Sequence, residues 1–192
     1  MTKHEKVSRA IQAHTAALEK SFLEPAGQLA GYAEKLVGAF HQGGRLLVFG
    51  NGPLGAVAEL TANLFVHRLW LDRPLLPALA LCSNLTLASA LARDGQQSEV
   101  FARMLKAVAA PGDLVLAMCD ARRDEAIEEG LSAARQIGCS TAALVPGPGE
   151  LTGDPPDFLF SLHTDSPARA TEAALFFGHL LCELVEGELF GI

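Results

Sequence analysis

The chain has 192 residues, with 15 Lys+Arg against 22 Asp+Glu and a formal net charge of −7, which excludes a broad basic surface for nucleic acid. Hydrophobic residues make up 49% and charged residues 19%, so there is ample material for a core and the chain is not a disordered one. The apolar surplus points to a subunit interface rather than a membrane, because no run approaches the roughly 18 apolar residues of a span.

Residues 3–22 set Val7, Ala10, Ile11 and Leu18 on one side and Glu5, Arg9, Gln12 and Lys20 on the other, which predicts an amphipathic helix. The opening stretch MTKHEKVSRAIQAH has neither the apolar centre nor the cleavage site of a signal peptide, and a cytoplasmic location is expected. A second helix is expected after Pro25, ending at Gln42-Gly43-Gly44, where paired glycines supply left-handed residues. From Arg45 the pattern changes. LLVFG (46–50) is a short apolar run ending in glycine, the mark of a strand buried on both faces.

Further buried strands are expected at Leu76–Leu81, Asp113–Met118, Ser140–Val145 and Phe158–Leu162, with helices at Leu54–His67, Leu85–Arg93, Ser98–Ala109, Asp124–Gly138 and Pro167–Leu189. Strands alternating with helices predict an α/β fold, a five-stranded parallel sheet covered on both faces. One domain is expected over residues 1–192, with a helical pair at 1–42 and an α/β core at 45–192. Pro146–Pro156 reads as a rigid surface loop within it.

Four cysteines, at 82, 119, 139 and 182, stand too far apart for a CxxC pair or a clustered zinc site. They are expected to be reduced core residues, with Cys119 as the exception, placed at the mouth of a site.

Ligands of open parallel sheets bind beyond the carboxyl ends of the strands. The first such loop, Phe49-Gly50-Asn51-Gly52-Pro53-Leu54-Gly55, can turn tightly and aim N–H groups of a helix amino terminus at an anion such as phosphate. No Gly-Lys-Ser/Thr follows, so it is not a Walker loop. Gly50, Gly52 and Gly55 fit G-x-G-x-x-G, but the next strand ends in Cys82-Ser83-Asn84, with no carboxylate for a ribose. The third loop, Cys119-Asp120-Ala121-Arg122-Arg123-Asp124, offers two arginines for a phosphate and two aspartates that oppose it. It reads equally as a solvated loop in which Asp124 caps the next helix.

GGRLLVFGNG (43–52), DRPLLPALAL (72–81), PGDLVLAM (111–118) and ARATEAALFFGHLLCELVEGELF (168–190) resemble, in order and spacing, the sugar isomerase (SIS) domain proteins. The nearer likeness is to the phosphoheptose isomerases and the DnaA initiator-associating proteins, over nearly the whole chain. This resemblance implies a flavodoxin-like three-layer sandwich with two leading helices and a long carboxyl-terminal helix. It also implies a homotetramer with phosphosugar sites between subunits.

Carried over residue by residue, the resemblance implies ligand contacts at Asn51, Gly52, Pro53 and Leu54, at Ser83 and Asn84, and at Arg93 and Asp94. It extends them to Cys119, Asp120, Arg122, Arg123, Asp124 and Thr171. Yet Leu54 stands where the family has a substrate-binding serine. Leu60 and Leu64 stand where it has a metal-binding histidine and a general-base glutamate, and residues 119–124 where it has a serine-rich phosphate grip. Thr171 replaces a metal-binding glutamine, while His179 matches the family histidine. Leucine can neither bind zinc nor move a proton, so no metal or other cofactor is expected. His179, Asp94 and Glu59 remain as catalytic candidates, although Glu59 lies well round the helix from Leu60.

The favoured reading is a SIS protein without isomerase activity, a tetrameric scaffold or regulator for a basic partner such as a replication initiator. A phosphosugar sensor keeping Asn51, Gly52, Ser83 and Asn84 is a second form of it. The alternative is a phosphoheptose isomerase acting on sedoheptulose 7-phosphate with a rebuilt site. In it Arg122 and Arg123 replace the serines, and His179 acts with Asp94 or Glu59. Neither direct nucleic-acid binding nor membrane attachment is expected.

Overall fold

A computed structural model describes residues 1–120, 123–147, 151 and 153–191. Five parallel strands lie in the order β2-β1-β3-β4-β5, with β1 at Leu46–Gly50, β2 at Ala78–Ala80, β3 at Leu114–Met118, β4 at Ser140–Pro146 and β5 at Phe158–Leu162. β1 aligns Leu46 with Leu114 of β3 and with Ala78 of β2. Every residue of β1 and β3 is buried, as two-faced burial requires of central parallel strands.

Alternation along these strands divides the core in two. Leu46, Val48, Leu114 and Leu116 pack against helices α2 (Ala26–His41), α3 (Pro53–Val66) and α7 (Pro167–Phe190). Leu47, Phe49, Val115 and Ala117 pack against α5 (Val100–Val108) and α6 (Glu125–Ile137) on the other face. α4 (Leu85–Arg93) and a 3₁₀ turn at Gln97–Glu99 lead into α5, so the helix expected from Ser98 is broken at its start.

The strand expected over 76–81 is shorter and less covered than its composition suggested. β2 holds three residues, and Leu79 is 43% exposed. It is an edge strand, and Pro77 just before it has no N–H to give a ladder.

α1 (Lys3–Phe22) opens with a capping box between Thr2 and Glu5, which satisfies two first-turn donors. Its second half is anchored by Ala17, Ser21 and Phe22. Its first half leaves Val7 59% and Ile11 61% exposed, so part of its apolar face has no cover in this chain. No helix among the described residues is long and apolar enough to cross a membrane.

The two ends of the sheet are built differently. At the amino edge Asp113 is buried and ties β1 to β3, accepting from the Arg45 backbone N–H at 2.9 Å and from Nη2 of Arg45 at 2.7 Å. At the carboxyl edge the loops after β1 and β3 touch, while space opens between the loops after β1 and β2.

Candidate functional site

The crevice begins at the turn Gly50-Asn51-Gly52. Gly52 has φ +53°, a conformation in which a side chain is strained, and a β-carbon there would run into the Asp120 carboxylate. Proline at the start of α3 has no N–H, and the Leu54 and Gly55 N–H groups already donate to Asn51 O and Gly52 O, each at 3.1 Å. The amino terminus of α3 is therefore not the open cradle of N–H groups that the glycine spacing suggested.

Beyond the turn, Gly52, Gly55, Ala56 and Glu59 line a cleft of about 400 Å³, faced by Cys82 and Asn84 after β2 and by Val100 and Phe101 of α5. Their spacing of i, i+3, i+4 and i+7 puts them on one helical face. Three small residues leave room, and Glu59 supplies a carboxylate. It is the one charged side chain among the described residues lining this cleft.

Ser83 Oγ donates to Glu59 Oε1 at 2.6 Å. Asn84 caps α4, its Oδ1 accepting from the Leu87 N–H at 3.0 Å, and its Nδ2 points to Met104 Sδ at 3.5 Å. Cys82 is half-buried, its thiol 3.6 Å from Gly50 O. Burial, with the Glu59 charge adding to it, pushes that thiol up from its ordinary range.

The third loop serves structure at two of its positions. Asp124 caps α6, Oδ1 accepting from Ala126 N–H at 3.0 Å and Ile127 N–H at 3.2 Å, while Oδ2 takes a 2.6 Å bond from Asn51 Nδ2. Cys119 is not at a mouth, contrary to expectation. It is completely buried in the core beneath α5 and α6, because the burial of β3 runs one residue past its end. Asp120 is exposed and borders a smaller hollow with Thr164 and Ser166. Arg123 lines a separate depression along α6, among Glu125, Glu128 and Glu129, so it does not face the cleft. Arg122 lies outside the described residues.

Arg93 and Asp94 pair with each other at 3.0 Å on an exposed surface at the end of α4, away from the cleft lining. Thr171 Oγ1 donates back to Pro167 O at 3.0 Å. His179 Nδ1 donates to Leu175 O at 2.9 Å, a bond that leaves Nε2 as its available nitrogen. Leu60 is 42% exposed, whereas Leu64 packs against the core. A zinc ion does not fit this set, since Leu60 and Leu64 carry no lone pair. No group of three His, Cys, Asp or Glu converges among the described residues.

The cleft pairing of Glu59 with Ser83 escaped sequence reasoning. Its one legible signal was the small-small-acid stripe Gly55, Ala56, Glu59 after a glycine turn.

Residues 11–145 match the model of the SIS domain. The chain belongs to the SIS domain family. This SIS protein is 32% identical to a phosphoheptose isomerase of Trichlorobacter lovleyi over 97% of this chain and 95% of that one. It is 31% identical to a phosphoheptose isomerase of Thermodesulfovibrio yellowstonii over 98% and 94% of the two chains. Its fold matches the solved phosphoheptose isomerase of Francisella tularensis with a TM-score of 0.88 at 23% identity, covering 96% of this chain and 98% of that one. That of Neisseria gonorrhoeae gives 0.83 at 23% identity, over 97% and 100%. The flavodoxin-like sheet with two leading helices and a long terminal helix is thus the fold of those proteins.

Proposed function

We propose that this SIS protein binds and isomerises a sugar phosphate of the phosphoheptose class at the cleft beyond β1 and β2. The reading is carried by the end-to-end likeness to proteins named phosphoheptose isomerase, 32% and 31% identical over nearly both full lengths. The cleft lies at the carboxyl ends of the strands, where ligands of such sheets bind. It holds a carboxylate, the residue type that aldose–ketose chemistry needs as a proton carrier. The scaffold reading, with a basic replication initiator as partner, rests on the resemblance of the terminal helix and of residues 72–77 to the DnaA initiator-associating proteins, on the replaced site residues, and on a net charge of −7 that by itself specifies no partner.

A binder without turnover is the second reading, favoured by one observation, that leucines occupy the positions of the family's metal-binding histidine and base. Titration calorimetry with sedoheptulose 7-phosphate, followed by a proton-NMR assay of the same mixture, separates the two. Heat of binding with appearance of the aldose is the expected result. Heat alone would leave the binder, and absence of both would remove the sugar phosphate altogether.

We propose further that the chain forms a homo-oligomer, a tetramer in its full form. Exposed Val7 and Ile11 on α1, with Phe176 on α7, are apolar surface that a second copy would cover. Light scattering giving a mass near 20.3 kDa at micromolar concentration would refute it.

A further inference from the structure

We propose that Glu59 is the proton carrier of this cleft, held by Ser83 as a positioning residue, and that it works without a metal ion. The inference rests on the isomerase reading above, and it concerns residues to which the family resemblance gives no such role. With Leu64 in place of a base, any proton transfer needs another group facing the ligand, and Glu59 is the one described carboxylate of the cleft lining, the Cys82 thiol being turned to Gly50 O at 3.6 Å.

The geometry is that of an anchored base. Ser83 Oγ holds Oε1 at 2.6 Å, a short charge-assisted bond that fixes the carboxylate plane. Oε2 has no protein partner among the described residues. Gly55 and Ala56, one turn earlier on the same helical face, leave the floor open beneath the carboxylate. The cleft of about 400 Å³ falls within the range of small-molecule sites. The other candidates are worse placed. Asp94 pairs with Arg93 at an exposed helix end, and His179 is not among the cleft-lining residues.

With a 2-ketose phosphate, Oε2 takes a proton from C1. The C–H electron pair forms the C1–C2 double bond, and the carbonyl oxygen on C2 gains a proton to give the enediol. Glu59 then returns its proton to C2 while the hydroxyl on C1 loses its own and becomes the aldehyde. One proton passes from C1 to C2 through Glu59 and one from O1 to O2 through solvent, so no oxidant or reductant is needed.

The test uses the full chain in deuterium oxide with excess EDTA and sedoheptulose 7-phosphate. Wild type should place deuterium on carbon and form the aldose. Glu59→Gln keeps the size and can still accept from Ser83, but takes no proton. It should lose about 10²- to 10⁴-fold in kcat while the binding constant moves less than about threefold. Ser83→Ala should lower kcat and the rate of deuterium incorporation with KM little changed, because the carboxylate is no longer held in one orientation. Ser83→Thr should restore both.

Turnover by Glu59→Gln equal to wild type would overturn the assignment and leave the isomerase reading intact. Loss of wild-type turnover in EDTA would overturn the metal-free claim. Wild type that binds without exchange would sink the proton carrier and leave a binder, while failure to bind would sink both readings together.

Discussion

The Arg73 guanidinium lies 2.7 Å from Glu186 Oε1, with side-chain exposures of 1% and 0%. This enclosed pair fastens the segment after α3 to the far end of α7. Arg73 also donates to Phe65 O at 2.9 Å and Leu64 O at 3.0 Å, and the Leu69 N–H donates to Glu186 Oε1 at 2.9 Å. Removing one partner strands the other in the core. Arg73→Ala or Glu186→Ala should each cost about 3–5 kcal/mol. Arg73→Met with Glu186→Leu should cost clearly less than the two single changes summed. Urea unfolding followed by the emission of Trp70, the chain's single tryptophan, checks both.

The same pair sets an acid limit. Burial alone would raise the Glu186 carboxyl, but the Leu69 N–H and the Arg73 hydrogen bond and charge outweigh it and hold the group below its ordinary value. A depressed carboxyl contributes stability that is present above its unfolded pKa, about 4.3, and is lost as pH falls through the lower folded value. Wild type should therefore lose more stability between pH 6 and pH 3 than Glu186→Gln does. Urea midpoints at pH 6, 4 and 3 for the two proteins measure it, and parallel curves would contradict it.

Much of the fold was legible because the central strands are apolar without a break. Leu46–Gly50 could only be a strand buried on both faces, and the glycines after Gln42 marked where α2 stops. β2 was overestimated because Leu76–Leu81 has the same composition as a central strand, and nothing in composition tells an edge from a centre. The cleft was half legible. Asn51, Gly52, Ser83 and Asn84 follow from strand-end logic, whereas the bond from Ser83 to Glu59 depends on how far α3 advances past the end of β2, a three-dimensional register. The loop at 119–124 misled at Cys119, which looks available in sequence but is consumed by the core, whereas the cap read for Asp124 is present at the start of α6.

Gly130 of α6 sits against the stacked rings of Phe49 and Phe101, whose centroids are 4.6 Å apart. A β-carbon there would lie 2.8 Å from Phe49 Cζ and 3.0 Å from Phe101 Cβ. Gly130→Ala should destabilise by about 1–3 kcal/mol through overpacking, although alanine is the better helix former. Gly31→Ala on α2 meets nothing within 4 Å and should stabilise by about 0.5–1 kcal/mol. Thermal or urea unfolding of the two variants should move in opposite directions, and a shared sign would refute the packing argument.

Cys82 offers a report on the cleft that does not depend on turnover. Cys119 and Cys182 are fully enclosed and Cys139 nearly so, whereas Cys82 is half-buried. Burial pushes Cys139 up to about 11 and Cys182 up to about 12, so both remain thiols at pH 8 and react slowly. Cys82 is raised as well, which makes it sluggish, but it is the one an alkylating agent can reach. With iodoacetamide at pH 8, mass spectrometry should find one modified site, at Cys82, before any other. Because Cys82 lines the cleft with Glu59 and Asn84, saturating sedoheptulose 7-phosphate should slow that alkylation several-fold. Protection without any conversion would support the binder, and an unchanged rate would mean that the sugar phosphate does not occupy this cleft.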